Sequence, residues 1–241
     1  MITEEKQNLV DAWTAEHEMG GNPSSKRITP SGAVIWAVEQ LRAHKSALRT
    51  VTDIGCGKGR NSIYLAQQGM QVTAMDFTPQ AIRHTNDVAA EHKLEKKIRA
   101  ITYDVTEDWP IAPASMDLVV DAFCFKHITA AEGRAAYKEN LLRILRTHGH
   151  YLISFNSIGD GYYGRYVIDR VHVNDEELHL VVDPANNISS VLFTPQHILE
   201  FFGPQLDLFA EMHHNKPHEI HGQVHESSIY AMLLKRTHCA A

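Results

Sequence analysis

The sequence predicts one α/β domain, built on a doubly wound, mostly parallel sheet of seven strands with helices on both faces and an antiparallel C-terminal strand pair. Between residues 48 and 156, strand-like apolar runs alternate with amphipathic helical runs, which is the pattern of βαβ units. The run 117–125, DLVVDAFCF, is apolar enough for a strand buried on both faces. Two further strand-like runs follow, at 206–212 and 227–236, and they favour a terminal antiparallel pair.

Local signals set the boundaries of these elements. Val34, Val38 and Leu41 recur at near-helical spacing in the second helix. Thr78 is suited to cap the helix that follows the second strand, and Pro79 is suited to its first turn. The predicted order is helix 4–17, helix 31–44, strand 49–55, helix 60–69, strand 71–77, helix 78–94, strand 97–105, strand 117–125, helix 130–146, strand 150–156, a mixed insert at 157–193, helix 194–203 and the two terminal strands.

Composition narrows the class of protein. The chain has 241 residues, 44% of them hydrophobic and 22% charged, with a net charge of −6 and no basic run. This balance argues against a nucleic-acid binder. No run approaches the roughly 18 apolar residues of a membrane span, and the start, MITEEKQNLVDAW, is too polar for a signal peptide. We therefore expect a cytoplasmic protein with no nucleic-acid or membrane partner.

The stretch DIGCGKG, residues 53–59, places three glycines between a strand-like and a helix-like run. Such turns hold small anionic or polar ligands, because glycine lets a ligand approach the backbone closely. A dinucleotide-binding turn, G-x-G-x-x-G, is one interpretation. However, the third glycine comes one residue early, and position 60 is Arg60. The turn predicts a ligand site at the end of the first strand without identifying the ligand.

Further residues resemble the landmarks of the class I S-adenosylmethionine-dependent methyltransferases. Asp53, two residues before Gly55, completes the pattern D-x-G-x-G-x-G of that family's first motif. Asp76 ends the second strand, 21 residues after Gly55, and Asp104 ends the third. The resemblance covers about residues 48–156 and implies a Rossmann-like fold.

Within that family, GCGKGRNSIYLAQQG followed by VTAMDFTPQAI looks most like the small-molecule enzymes, including the tellurite-resistance type. One departure is the stretch 147–150, where the family often has a Pro-Gly-Gly turn, although Gly149 remains available for the bend. The resemblance implies methyl transfer from S-adenosylmethionine to a small molecule by in-line displacement, with S-adenosylhomocysteine as the product.

The resemblance also implies which residues bind the cofactor. The glycine turn would pass close to the methionine part, with Asp53 near the amino group. Asp76 would hold the ribose hydroxyls, and Phe77 would lie against the adenine. Asp104 would accept a hydrogen bond from the adenine amino group. The complete predicted set is Asp53, Gly55, Cys56, Gly57, Gly59, Asn61, Asp76, Phe77, Asp104, Val105, Ala122 and Phe123.

Two residues near the end of the fourth strand are candidates for catalysis. His127, in AFCFKHI, could accept a proton from the acceptor. Asp121, in VVDAF, could orient the acceptor or a metal. Each also has a structural interpretation, since the histidine could pack at the start of the next helix and the aspartate could hold the strand's end. Alignment alone can supply about 7–11 kcal/mol of the barrier, so a general base is not required.

The acceptor is expected beneath the variable parts of the chain. The residues suited to close over a small polar or aromatic molecule are Trp13, Tyr162, Tyr163 and Arg165, and His225 could border the same pocket. The predicted organisation is a single domain over 1–241, with a helical lid at 1–47, a cofactor-binding core at 48–156, an insert over the acceptor site at 157–193, and a terminal helix and strand pair at 194–241.

Two other functions stay open at this point. One is an NAD-type oxidoreductase, and the other is a non-catalytic metal- or cofactor-binding protein, suggested by the His-rich stretch 213–225. That stretch is interpreted as a polar connection between the two terminal strands, and no metal is predicted because no paired cysteine supports a site. An exposed edge strand or the N-terminal helices could support a homodimer.

Overall fold

The computed structural model describes residues 4–22, 26–173 and 176–237. The helices are α1 Glu4–Met19, α2 Gly32–Ala43, α3 Arg60–Gln67, α4 Pro79–Glu91, α5 Ala131–Ile144 and α6 Pro195–Phe202, with short 3₁₀ helices at Phe125–His127 and Tyr163–Arg165. The strands are β1 Thr50–Ile54, β2 Gln71–Asp76, β3 Ile98–Thr102, β4 Met116–Ala122, β5 Leu145–Asn156, β6 Val167–Val173, β7 Glu176–Asp183, β8 Ile188–Leu192, β9 Leu206–Ile220 and β10 Gln223–Arg236.

The main sheet has seven strands in the order β3-β2-β1-β4-β5-β10-β9. The first five are parallel, and β10 pairs antiparallel with both β5 and β9. The predicted fold class is therefore confirmed. The chain runs outward in one direction from β1 to β3 and then returns to β4 on the other side of β1. Ligands bind at such a switch point, beyond the carboxyl ends of the strands.

Helices cover both faces of the sheet because successive strand residues point to opposite sides. In β5, Leu152 packs in a core with α2, α3 and α4, whereas Ile153 packs in a second core with α5 and α6. Both residues are fully buried. No helix of the described ranges has the length and apolarity that crossing a membrane requires.

The insert after β5 forms a small sheet of its own, with β6, β7 and β8 antiparallel in sequence order. A bridge between Ser157 and Phe193 joins the two ends of the insert. The insert is therefore a compact lobe attached to the end of β5, which is one of the carboxyl ends at the switch-point edge of the main sheet.

The prediction for the His-rich stretch is wrong, because it is strand rather than connection. Ile220 pairs with Gln223, so the turn between β9 and β10 is only His221 and Gly222, both with positive φ. Two left-handed residues are typical of a tight hairpin. The strand predicted at 206–212 thus continues to residue 220, and this continuation was missed because β9 is an edge strand whose polar residues there give no apolar pattern.

Candidate functional site

The turn after β1 needs glycine at all three positions. Gly55, Gly57 and Gly59 have φ of +62°, +52° and +79°, a region that side-chain-bearing residues avoid. A Cβ on Gly55 would lie 2.7 Å from Cys124 Cβ, and one on Gly59 would lie 2.7 Å from Thr85 Oγ1. A Cβ on Gly57 would meet only a His17 ring, at 3.6 Å. Gly57 therefore presents its backbone to the space between the turn and α1.

Asp76, at the end of β2, fixes this turn. One carboxylate oxygen accepts a hydrogen bond from the Gly57 N–H over 2.9 Å. The other accepts from the Thr78 N–H and hydroxyl, over 2.9 and 2.7 Å. A carboxylate has about four acceptor positions, so three donors leave about one for a ligand.

Asp53, at the end of β1, is a buried acid with an unsatisfied oxygen. Its Oδ2 accepts from the Ser62 hydroxyl over 2.5 Å. Its Oδ1 is buried and has no hydrogen-bond partner among the described residues. Burial raises the pKa of Asp53 to about 6, although the Ser62 hydrogen bond and the nearby Arg60 oppose this. A cationic donor at Oδ1 would satisfy this acceptor and favour its ionised form.

Helix α1 lies across the ends of β2, β3 and β4. Its Lys6 Nζ is 2.8 Å from Asp104 Oδ2, while Asp104 Oδ1 accepts from the Thr106 N–H and hydroxyl. Further along, the Trp13 ring meets the His127 ring edge-on with centroids 4.7 Å apart. The helix therefore closes the carboxyl edge of the sheet over the predicted cofactor residues.

The remaining predicted cofactor residues have mixed surroundings. Asn61 Oδ1 accepts from the Ser31 N–H over 2.9 Å, which ties α3 to the start of α2. The Phe123 N–H donates to the Ser154 carbonyl, and Phe123 lies on a cavity wall with φ of +76°. The Val105 carbonyl accepts from Trp109 Nε1. The other three are Cys56, which is buried, and Phe77 and Ala122, which are half-buried.

A cavity of about 160 Å³ lies between the main sheet and the insert, and Arg60, the residue after the glycine turn, is part of its lining. Its floor is one face of β5, β10 and β9, because Ser154 is paired with Ala231 and Ala231 with Met212. The walls come from α1, the segment before α2, the end of β4 and the insert. Residues that line it include Trp13, Asn22, Arg60, Phe123, Lys126, His127, Ser154, Asn156, Tyr163, Asp183, Ser190, Met212, His214 and Ser227.

His127 lies on the cavity wall as a neutral imidazole. Its Nδ1 is 2.9 Å from the Ser189 carbonyl oxygen and 3.0 Å from Ser190 Oγ. A bond to a carbonyl requires an N–H at Nδ1, so Nε2 keeps the lone pair. Burial, and then the charge of Lys126, lower the pKa of His127 to about 3. The ring is thus suited to accept a hydrogen bond and poorly suited to retain a proton.

Asp121 is placed away from this cavity, with no exposed surface. Its carboxylate accepts from the Cys124 and Phe125 N–H groups and from the Tyr137 hydroxyl. Burial raises its pKa to about 7 despite these hydrogen bonds. The contacts of Asp121 hold the turn that follows β4.

The predicted acceptor residues separate into two groups. Trp13 and Tyr163 line the cavity, whereas Tyr162, Arg165 and His225 do not. Arg165 is exposed. The Tyr162 ring packs 5.0 Å from the His225 ring, and both residues are buried.

Several cavity residues were not singled out from the sequence. They are Lys126, Ser154, Asn156, Ser190 and Ser227. The sequence did contain one signal for part of this set. Ser154 and Asn156 are polar residues at alternate positions of an otherwise apolar strand, β5, which indicates one polar patch on one face of that strand. Across the described ranges, no group of three His, Cys, Asp or Glu side chains could hold a metal ion.

Comparison with known proteins gives a family match over the core. A family model described as a methyltransferase domain matches residues 51–149. The matched segment runs from β1 into β5, and it contains the glycine turn, Asp76 and Asp104.

Curated relatives match over short segments. Hemagglutinin 1 of Eikenella corrodens is 37% identical over 68 residues, which are 26% of this chain and 22% of that protein. A probable S-adenosylmethionine-dependent methyltransferase of Saccharomyces cerevisiae, CRG1, is 27% identical over 95 residues, which are 39% of this chain and 33% of that protein. The chain thus matches no more than about a third of the length of these two relatives.

A solved structure matches over nearly the whole chain. It is the 1,6-didemethyltoxoflavin-N1-methyltransferase of Burkholderia thailandensis, with bound 1,6-didemethyltoxoflavin and S-adenosylhomocysteine. The TM-score is 0.70 at 20% identity, covering 99% of this chain and 92% of that chain. At this identity the likeness is one of fold.

Proposed function

We propose that the chain, whose residues 51–149 match a methyltransferase-domain family model, is a class I S-adenosylmethionine-dependent methyltransferase that transfers a methyl group from S-adenosylmethionine to a small-molecule acceptor. The observation that carries this proposal is the position of the cavity. Arg60, which directly follows the glycine turn, lines it, and Trp13, Phe123 and His127 form part of its wall. A cofactor on the turn could therefore present a group to a molecule in the cavity.

Two features of the turn fit the cofactor. The unsatisfied Oδ1 of Asp53 could accept from an ammonium group. The left-handed backbone at Gly55 and Gly57 brings peptide groups close to the space beneath α1. When bound, S-adenosylmethionine supplies an electrophilic methyl group on a sulfonium.

In this proposal the residues of the chain bind and orient. Asp53 would hold the amino-acid part of the cofactor, Asp76 the ribose and Asp104 the adenine. Asp104 also forms an ion pair with Lys6 of α1, so the helix would close over the nucleoside. Exclusion of water by α1 and the insert would strengthen every electrostatic contact within the site.

The acceptor would occupy the cavity, with the insert as its outer wall. Its volume of about 160 Å³ suits a small molecule, and the aromatic rings of Trp13 and Tyr163 suit a planar one. The Burkholderia enzyme of similar fold has bound 1,6-didemethyltoxoflavin, which is consistent with this class of acceptor. His127 would orient the acceptor through Nε2, because a group with a pKa of about 3 holds a proton poorly at neutral pH.

Calorimetric titration tests the cofactor assignment. Wild-type protein is titrated with S-adenosylmethionine, S-adenosylhomocysteine and NAD, and the titration is repeated on Asp76→Asn. We expect binding of the first two ligands and a loss of at least about tenfold in the variant, because a charge-assisted hydrogen bond is worth about 1.5–3 kcal/mol.

Asp87→Asn is the matched control, because Asp87 is an exposed acid on α4, the helix that follows β2. It removes the same charge without touching the turn and should bind like the wild type. Binding of NAD in preference to S-adenosylhomocysteine would overturn the proposal in favour of a dinucleotide-dependent enzyme. Equal binding by wild type and Asp76→Asn would overturn the role of Asp76.

A further inference from the structure

Lys126 is a buried cation that has no ion-pair partner among the described residues. It follows β4, is 2% exposed, and lines the acceptor cavity. Its Nζ donates to Asn156 Oδ1 over 2.7 Å and lies 3.9 Å from the centre of the Tyr163 ring. Buried charges in proteins are normally neutralised by a counter-charge, so the missing partner requires an explanation.

The two nearest carboxylates are engaged elsewhere. Asp160 accepts from Asn156 Nδ2 over 2.8 Å and from three backbone N–H groups. Asp183 accepts from the Tyr162 hydroxyl over 2.7 Å. Both act on Lys126 only at a distance. Their negative charges raise the pKa of Lys126, but burial lowers it by more, to about 8. The amine is therefore still mostly charged at neutral pH.

Asn156 fixes the position of this ammonium group. Because its Nδ2 donates to Asp160, its Oδ1 must face Lys126. One of the three ammonium N–H groups is thereby occupied, and the face of the Tyr163 ring covers another side. Donor capacity is left for a molecule in the cavity.

Two hydroxyls on the cavity floor also lack partners. Ser154 and Ser227 are 1% and 2% exposed, and neither Oγ has a hydrogen-bond partner among the described residues. Ser154 and Asn156 lie on the same face of β5, and Asn156 pairs with Ile229, two residues from Ser227 on β10. The hydroxyls and the ammonium therefore face one space.

The charges along the cavity have one predominant sign. Besides Lys126, its lining includes Arg27, Arg60 and Lys216, whereas Asp183 is the single carboxylate among the described lining residues. This contrasts with the net charge of the whole chain, −6. A cavity of this kind attracts anions and repels cations.

We propose that the acceptor is a small anionic molecule, a carboxylate or an ionised enol or imide, whose negative oxygen is held by Lys126 Nζ with the hydroxyls of Ser154 and Ser227. This inference rests on the proposed methyl transfer for the role of its ligand, but the anion site can be measured independently. It assigns to Lys126 the discrimination between an acid and its neutral analogue.

The test uses matched pairs of probes, benzoate with benzamide and nicotinate with nicotinamide, titrated into protein that has first been saturated with S-adenosylhomocysteine. We expect the acid of each pair to bind at least about tenfold more tightly than the amide. Lys126→Gln, which keeps a donor for Asn156 and removes the charge, should abolish this preference. Lys96→Gln removes an exposed charge in the turn before β3 and should retain it.

A second readout is the proton taken up on binding, from calorimetry in buffers of different ionisation enthalpy. An anion beside Lys126 raises its pKa, so at a pH near 8 the acid should draw up to about half a proton from the buffer. The amide should draw none. This readout needs only the wild-type protein and would stand even if Lys126→Gln did not fold.

Acids and amides that bind equally, or not at all, would overturn the inference. So would an acid preference that persists in Lys126→Gln, or acid binding without proton uptake. In each of these outcomes binding of S-adenosylhomocysteine would leave the proposed function intact. Failure to bind S-adenosylhomocysteine would count against the proposed function alone, since the acid preference can also be measured without it.

Discussion

Asp121 provides a quantitative prediction about stability and pH. Burial raises its pKa from an ordinary 3.8 to about 7. The native state therefore holds this proton more tightly than the unfolded chain does. Its contribution to stability is fully present below about pH 4 and is lost as the pH rises through about 7.

The magnitude follows from the size of the shift. About three pKa units, at 1.36 kcal/mol each, correspond to about 4 kcal/mol. Asp121→Asn cannot titrate at this position. The wild-type free energy of unfolding minus that of Asp121→Asn should therefore fall by about 4 kcal/mol between about pH 4 and about pH 8. Other titrating groups cancel in this difference, including the 16 histidines of the chain.

The assay is urea unfolding followed by circular dichroism, extrapolated linearly to water at each pH. Asp87→Asn controls for the change in net charge. A difference between wild type and Asp121→Asn that stays flat across this range, or that rises with pH, would refute the reasoning. It would mean that the hydrogen bonds from Tyr137 and the backbone outweigh the cost of burying the carboxylate.

Three further predictions follow from local geometry. Gly55→Ala should weaken S-adenosylhomocysteine binding and lower the melting temperature more than Gly222→Ala does. Both positions have positive φ, but only at Gly55 would the added Cβ lie 2.7 Å from Cys124. Equal losses of melting temperature in the two variants would show that backbone strain alone is responsible. Lys6→Met should change the free energy of unfolding by less than about 1 kcal/mol, since the ion pair with Asp104 is partly exposed. It should nevertheless speed amide hydrogen exchange in α1, because this ion pair holds the helix against the segment after β3. Unchanged exchange would show that the ion pair does not hold α1 in place. His127→Gln should lower turnover without moving the pH–rate profile between about pH 6 and 8, because His127 has a pKa of about 3. If the variant instead lost an acidic limb that the wild-type profile shows, His127 would be a titrating base.

The core of the fold was predictable because its signals are local. Apolar runs, caps and glycines reveal each βαβ unit within about 30 residues of chain. The motif around Gly55 and the acids that end β2 and β3 could be recognised for the same reason. The second half of the edge strand β9, residues 213–220, was not predictable, since its two faces are largely polar and resemble a loop in sequence.

The cavity between the main sheet and the insert could be predicted only in part, because it is assembled from distant segments. Lys126, Ser154 and Ser227 come from three separate parts of the chain and meet only through the pairing of β4, β5 and β10. Tyr162 and His225 were singled out by residue type, and the structure packs them against each other, outside the lining of the cavity. Residue type predicted the presence of aromatic rings in the insert, but not which of them face the cavity.

The order of strands has a consequence for synthesis of the protein. β10 follows every other strand of the main sheet along the chain, yet lies inside the sheet between β5 and β9. Chains emerge from the ribosome N-terminal part first, so the parallel half of the sheet can form while β5 still has an open, apolar edge. Such an edge is prone to pair with another chain. Because β10 also carries part of the cavity floor, the nascent chain would form the glycine turn before the cavity. Truncation before residue 223 should therefore yield a protein that aggregates.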